Sequence, residues 1–424
     1  MKIWRPYSVQ KTDRMLPTAV SAENEFIYDE NGNEYVDAIS TWWTSIHGHG
    51  RKEIYMPVTE ALQKLDHSVL ASFANRPSEL LTEKLNEFTK GIFKRVHYTD
   101  NGSCAVEAAV KIAVQHFQIK KQKTKKKFIR FSHSYHGDTV GAMSVSGSMV
   151  FTDTYSSLLF ETEEIPSPDC FRCPLKKTPE SCRTECMDRL EEYAEKNSET
   201  TAGLVIEPLI QGASGMKMYS EKVLRRIREI TEKNDIIMIV DEVFTGFGRT
   251  GENFAYEKAG ILPDMITVSK GLSGGFLPIA AVLVGERAFA PFYSEDRNAV
   301  LYHGHTMTGN PVTCTAALHS LILYERENRL SDVNRLESKF KDCIGKIENK
   351  FSYLECGRVK GAVCAFEVPE AVPILTLFDF CMKRGVFIRP LGNTVYVAPS
   401  YTVSDASLEK IFSVLSEFLK GLRV

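Results

Sequence analysis

No stretch of the sequence approaches the uninterrupted apolar length of a membrane-spanning helix. The first residues, MKIWRPYSVQKTDR, lack the apolar core of a secretory signal. Charge of one sign is also missing: 52 Lys and Arg stand against 54 Asp and Glu, a formal net charge of -2. That balance removes the general attraction that nucleic acid or an anionic lipid surface would exert. Internal repeats and low-complexity tracts are absent, which excludes a repeat array. The expectation is a cytoplasmic protein whose partners are small molecules, with no nucleic-acid and no membrane partner.

At 424 residues, 43% hydrophobic and 25% charged, the chain is long enough for more than one core. Its middle alternates short β-rich runs with amphipathic stretches: FIRF at 128–131, GLVIEP at 203–208, IIMIVDE at 236–242 and DMITVSK at 264–270. This is the pattern of parallel strands joined by crossover helices, and each run ends in a polar or charged residue. In such sheets ligands bind outside the carboxyl ends of the strands, so those terminal residues should converge. The fold class predicted is α/β, a large, mostly parallel sheet domain flanked by helices with a smaller α+β domain. The predicted division is 1–48 (amino-terminal part of the small domain), 49–318 (large domain) and 319–424 (carboxyl-terminal small domain). A long, polar helical tract is predicted after Pro311, then short strands in GAVCAFEV, VFIRPLG and TVYVAPS and a final amphipathic helix. FIYDENGNEYVDAIS, with its Asn-Gly turn, predicts a hairpin that can pair with the carboxyl-terminal part. The basic run KKQKTKKK at 120–127 reads as a solvated loop between helix and strand.

Six of the ten cysteines are scattered singly among apolar or helical segments, as in a reducing compartment. The other four, Cys170, Cys173, Cys182 and Cys186, are spaced C-x2-C-x8-C-x3-C. Zinc or an iron–sulfur cluster is one reading. The lack of a second CxxC knuckle favours reduced thiols with no metal.

The chemistry gathers at the strand ends. In IIMIVDEVFTGFGRTG, Asp241 closes a buried strand, where a carboxylate needs a cationic partner. Two partners suit it: a protonated pyridine nitrogen, or an arginine such as Arg249. In DMITVSKGLSGG, Lys270 ends the next strand before a glycine-rich loop, where a partly desolvated amine can form an imine with an aldehyde cofactor. In DNGSCAVEAAVKIA, Gly102 and Ser103 open a long helix whose free amides suit an anion; a serine cap without ligand is the alternative. In FSHSYHGDT, Tyr135 and His136 follow another strand, and Tyr135 is either a stacking platform or core.

These motifs, together with HGHTMTGNP, occur in an order that resembles the class-III aminotransferases, pyridoxal 5'-phosphate (PLP) enzymes of fold type I, along nearly the whole chain. The resemblance implies that Lys270 is the imine lysine and that Asp241 binds the pyridine nitrogen. It implies further that Gly102 and Ser103 bind the phosphate, that His136 belongs to the cofactor site, that Tyr135 stacks on the ring and that Glu207, in VIEPLIQGASGM, lies at the pocket floor. It also implies a homodimer with shared sites, in which Thr306 reaches the phosphate of the partner and Gly304 contributes to the substrate site.

The substrate must be read outside that cradle. Trp42 and Trp43, in STWWTSIHGHG, are two of only three tryptophans, so their adjacency stands out as an apolar wall or as core. With Tyr7 in WRPYS and Arg389 in VFIRPLGNTVYVAP, they resemble the branch of the family that aminates 8-amino-7-oxononanoate in biotin synthesis. Arg389 would take the carboxylate and Tyr7 would close the pocket near the reacting amine. Phe244 replaces a glutamine common elsewhere in the family, which agrees. His305, in HGHT, stands where users of S-adenosylmethionine usually have proline, so S-adenosylmethionine and lysine both remain as donors. The alternatives are another ω-aminotransferase acting on 4-aminobutyrate, ornithine or a diamine, a PLP aminomutase, and a metal-bearing protein without catalysis.

Overall fold

The computed structural model describes residues 3–9, 11, 16–178, 180–369 and 374–422. A seven-stranded sheet organises it, in the order Phe93–Thr99, Ala280–Gly285, Met265–Val268, Ile237–Asp241, Thr201–Ile206, Lys127–Phe131, Thr162–Ile165. Ala280–Gly285 runs antiparallel to both its neighbours and the remaining pairings are parallel. Its central strands, TAGLVI, IMIVD, MITV and AAVLVG, are buried at every position. Burial on both faces explains why they read as continuous apolar runs.

Alternation along each strand splits its side chains between two cores. Leu204, Ile206, Met238 and Val240 face one core with Val223, Leu224 and Ile227 of helix Glu221–Lys233. Val205, Ile237 and Ile239 face the other with helix Gly102–Ile119, whose Ala105, Ala108 and Ala109 allow close approach to the sheet. Residues 120–126 of the run are the loop between that helix and strand Lys127–Phe131, as predicted, and Lys127 opens the strand. Lys125 is the loop's one buried lysine; its Nζ donates to the Asp235 carbonyl at 2.6 Å.

The predicted hairpin is present: Phe26–Asp29 pairs antiparallel with Glu34–Asp37. Gly32 takes φ +78 in its turn, and the Asp29 carboxylate accepts from the Asn31 and Asn33 amides at 3.0 and 2.9 Å. Val386–Phe387 joins the hairpin in parallel, so chain beginning and chain end share a sheet. Glu355–Lys360, Val363–Glu367 and Thr394–Val397 form a second small sheet, with helices Arg329–Lys350 and Asp405–Lys420 nearby in sequence.

The tract after Pro311 differs from expectation. Helix Pro311–Arg326 is largely buried and only the following Arg329–Lys350 is mainly polar. Pro311 starts the first helix where no amide bond is lost, and Asn310 caps it by accepting from the Val312 and Thr313 amides. Helix Pro311–Arg326 runs unbroken past residue 318, where the sequence reading set a division, and packs on helices Lys52–Lys64 and Arg76–Phe88. Among the described residues, no helix is long and apolar enough to cross a membrane.

Candidate active site

A cavity of about 330 Å³ opens beyond the carboxyl ends of the parallel strands. Asp241 is the last residue of its strand, Lys270 and Glu207 follow theirs directly or after one residue, and Tyr135 and His136 lie in the loop after Lys127–Phe131. All five line the cavity.

Asp241 is buried and held from three sides. The Thr267 hydroxyl and the Val243 amide donate to Oδ1 at 3.0 and 3.1 Å, and His136 Nδ1 donates to Oδ2 at 2.7 Å. The alternative pairing with Arg249 does not form. Arg249 is wholly buried but gives its guanidinium to the Pro399 carbonyl at 2.9 Å and the Ser40 hydroxyl at 3.2 Å. His136 Nε2, on the far side of the ring, is buried without a partner among the described residues.

Lys270 opens a short 3-10 turn with φ +38, a strained value for a side-chain-bearing residue. Its Nζ lies 4.8 Å from the Trp43 ring centre and 5.9 Å from that of Phe244. It has no hydrogen bond or ion pair among the described residues. Burial lowers its pKa to about 8, against the opposing pull of Asp241 and Glu207. Such an amine is in part neutral, hence nucleophilic, near physiological pH. Glu207 is buried too, and burial pushes its carboxyl up to about 7, although the Tyr135 and Gly212 amides donate to it at 3.0 and 2.9 Å.

At the other end of the cavity, Asn101 caps helix Gly102–Ile119 by accepting from the Cys104 amide at 3.0 Å. This removes the alternative in which Ser103 is merely a helix cap. Ser103 sits in the first turn, and its hydroxyl accepts from the Asp138 amide at 3.2 Å. Gly137, at φ +129, passes so close that an added Cβ would stand 2.0 Å from Ser103 Oγ. The first turn therefore presents free amides and a hydroxyl to the cavity.

Tyr7, Trp42 and Trp43 also line the cavity. Trp43 is buried and packs 4.5 Å from Phe244, while Trp42 is partly exposed at the mouth. The Arg389 guanidinium lies 4.7 Å over the Trp42 ring and meets no carboxylate among the described residues. Tyr7 donates to Asp138 Oδ2 and stands edge-on to Trp42 at 5.6 Å. The tryptophans rest on an unusual backbone: Ser40, Thr41, Trp42 and Trp43 have φ of 45, 47, 67 and 75. A left-handed turn of four non-glycine residues costs about 1–2 kcal/mol per residue.

Gly304 and Thr306 do not join them. Both are exposed, on the segment before helix Pro311–Arg326, and neither lines the chain's own cavity. Phe151, Val243, Ala213 and Leu391 line it without having been predicted. Phe151, 5.4 Å from Tyr135 and 5.7 Å from Tyr7, carried no motif to mark it. All ten cysteines are free, and among the described residues no group of three or more His, Cys, Asp or Glu is arranged to hold a metal ion.

The chemistry of these groups fits a flat, charged cofactor: an unpartnered buried amine for an aldehyde, a buried carboxylate for a cationic ring nitrogen, and a helix start for a phosphate. That is the set a PLP-dependent transferase requires. The chain belongs to the class-III aminotransferases, whose family model matches residues 7–419, and is a PLP-dependent transaminase. It is 37% identical to the adenosylmethionine-8-amino-7-oxononanoate aminotransferase of Geobacter sulfurreducens, over 96% of this chain and 93% of that one. The crystal structure of the Methanocaldococcus jannaschii enzyme of the same name superposes with a TM-score of 0.91 at 31% identity, covering 100% of this chain and 97% of that one. A PLP-bound amine transaminase from an uncultivated Pseudomonas species gives 0.92 at 25% identity, covering 98% and 97%.

Proposed function

We propose that this chain aminates the C7 keto group of 8-amino-7-oxononanoate, giving 7,8-diaminononanoate in biotin biosynthesis, with S-adenosylmethionine as donor. The observation that carries the reading is Arg389, which does not itself line the cavity but stacks on Trp42, which does, and has no carboxylate partner among the described residues. A guanidinium fork suits the planar carboxylate of the acceptor, and Trp42, Trp43 and Phe244 offer an apolar wall for its aliphatic chain. The relatives named above carry this acceptor in their names.

In this reading Lys270 Nζ binds the cofactor aldehyde covalently. Asp241, held by His136, would face the ring nitrogen. Gly102 and Ser103 receive the phosphate, Tyr135 lies against the ring, and Glu207 closes the floor. When bound, the cofactor supplies an electron sink for the charge left on the substrate carbon. Lys270 Nζ would take the carbon-bound proton of the substrate and return it within the same site. An amine with a pKa of about 8 can serve both directions near neutral pH. Tyr7, tied to Asp138, closes the site near the reacting amine.

His305 is the observation that favours a second donor, lysine. The working molecule is a cytoplasmic homodimer with Gly304 and Thr306 serving the partner's site. Large apolar side chains left exposed at Tyr55, Met56, Val69, Phe73, Tyr302 and Met307 support such an assembly. The division at residue 48 belongs to the same reading; the one set at 318 falls inside helix Pro311–Arg326 and moves to the end of that helix. The test is diaminononanoate formation from 8-amino-7-oxononanoate with S-adenosylmethionine and, separately, lysine. Product with neither donor overturns the assignment.

A further inference from the structure

We infer that Asp37 is a positioning residue for the acceptor wall: its carboxylate holds Ser40–Trp43 in the left-handed turn that aims Trp42 and Trp43 at the cavity. The inference rests on the reading of that wall as the acceptor's. None of the four residues is glycine, so nothing local favours positive φ at any of them, and the turn must be imposed by its surroundings. It closes like one turn of a left-handed helix, with the Trp43 amide donating to the Ile39 carbonyl and the Thr44 amide to the Ser40 carbonyl, both at 2.8 Å.

Asp37, at the end of hairpin strand Glu34–Asp37, is buried and grips the turn from one side. Its Oδ1 accepts from the Ile39 amide at 3.2 Å. Its Oδ2 accepts from the Thr41 hydroxyl at 2.6 Å and from His49 Nε2 at 3.1 Å. The other side is fixed by Ser40, whose hydroxyl donates to the Ala398 carbonyl at 2.8 Å and accepts from Arg249. Thr41 is exposed, and its hydroxyl bonds to Asp37 and lies 3.3 Å from His49 Nε2, which Asp37 also holds, so its side chain ties the turn to this one carboxylate cluster. Loss of the grip frees the turn to relax to right-handed or extended backbone, which moves both indoles.

The experiment uses the full-length holoenzyme in a Trp4→Phe background, where tryptophan emission comes from Trp42 and Trp43 alone. Asp37→Ala and, as the milder change, Thr41→Val should each shift that emission and raise the KM for the acceptor about tenfold, a typical penalty for a small misplacement. The visible absorbance of bound cofactor should stay. Glycine accepts left-handed backbone without help, so Asp37→Ala/Thr41→Gly should restore both readouts. Unchanged emission in both Asp37→Ala and Thr41→Val overturns the inference, as does a shift that glycine fails to rescue. A rescued shift in a protein that never aminates 8-amino-7-oxononanoate upholds the role of Asp37 and overturns the substrate reading.

Discussion

His136 Nδ1 stands 2.7 Å from Asp241 Oδ2, and both side chains are buried. The histidine lets a carboxylate persist at a buried strand end while leaving its charge directed at the cavity. Asp241→Asn keeps the shape and the bonds to Oδ1 but removes the charge, so turnover should fall by about 10²–10³ at nearly unchanged stability. His136→Phe strands the carboxylate without its partner and should cost about 3–5 kcal/mol, measured by urea unfolding of the cofactor-free protein. Equal stability losses in the two variants would contradict this division.

Lys270 supplies the second prediction. Its pKa of about 8 lies below that of an ordinary lysine because burial disfavours the charge. In cofactor-free protein, the rate of covalent cofactor capture should therefore climb with pH and level off above about 8. The unfolded chain binds the proton more tightly than the folded one, so stability of that protein should rise as pH passes from about 8 towards the ordinary lysine range. Lys270→Ala should show no visible absorbance of covalently held cofactor and no turnover. Stopped-flow absorbance across a pH series checks the midpoint.

Glu207 behaves with the opposite sign. Burial raises its carboxyl from 4.5 to about 7, so the folded state holds the proton more tightly than the unfolded chain. Its effect on stability is fully present below about 4.5 and is lost as pH rises through about 7, by up to about 3 kcal/mol. Glu207→Gln should lessen the fall in stability across that window without abolishing it, because Glu242, which burial also pushes up to about 7, titrates in the same range. Denaturant midpoints at pH 5 and about 7.5 for both proteins decide it: identical pH slopes would remove Glu207 as the source.

Much of this arrangement was legible in the chain. Strands buried on both faces must be apolar throughout, so IMIVD and MITV declare themselves, and a charged residue closing such a run, Asp241 or Lys270, marks the site. What stayed hidden depends on distance or on context. The bond from His136 to Asp241 joins residues 105 apart in sequence. The cap at helix Gly102–Ile119 went to Asn101 because two good capping residues stood within reach of one helix start. Helix Pro311–Arg326 reads as polar in part through Thr313, Thr315 and Ser320, whose hydroxyls a buried helix can satisfy with its own backbone, as Thr315 does on the Pro311 carbonyl at 2.7 Å. The left-handed turn at Ser40–Trp43 left no trace at all, since it lacks the glycine by which such backbone is usually found.

Arg389 should divide the two substrates. If its guanidinium binds the acceptor carboxylate, Arg389→Ala removes one partner of a charged pair and should raise the acceptor KM by about 30-fold, equivalent to about 2 kcal/mol. Arg389→Lys should recover only part of this, because an ammonium lacks the planar fork and its stacking on Trp42. The half-reaction with the amino donor, followed by the spectral change of the bound cofactor, should be altered far less. Equal losses in both half-reactions would mean that Arg389 supports the site as a whole and does not select the acceptor.

The exposed positions of Gly304 and Thr306 lead to a complementation test. Lys270→Ala and Thr306→Arg chains are each expected to be inactive as homodimers, the second because a bulky cation occupies the place of a hydroxyl. In a hybrid of the two, with sites shared between subunits, one site has an intact Lys270 from one chain and an intact Thr306 from the other. Random mixing makes half the dimers hybrid with one good site each, so about a quarter of wild-type activity should return on co-refolding. If Thr306 acted within its own chain, every site in the hybrid would carry one defect and no activity would appear. Differently tagged chains, purified as hybrids and assayed at known dimer concentration, separate the two outcomes.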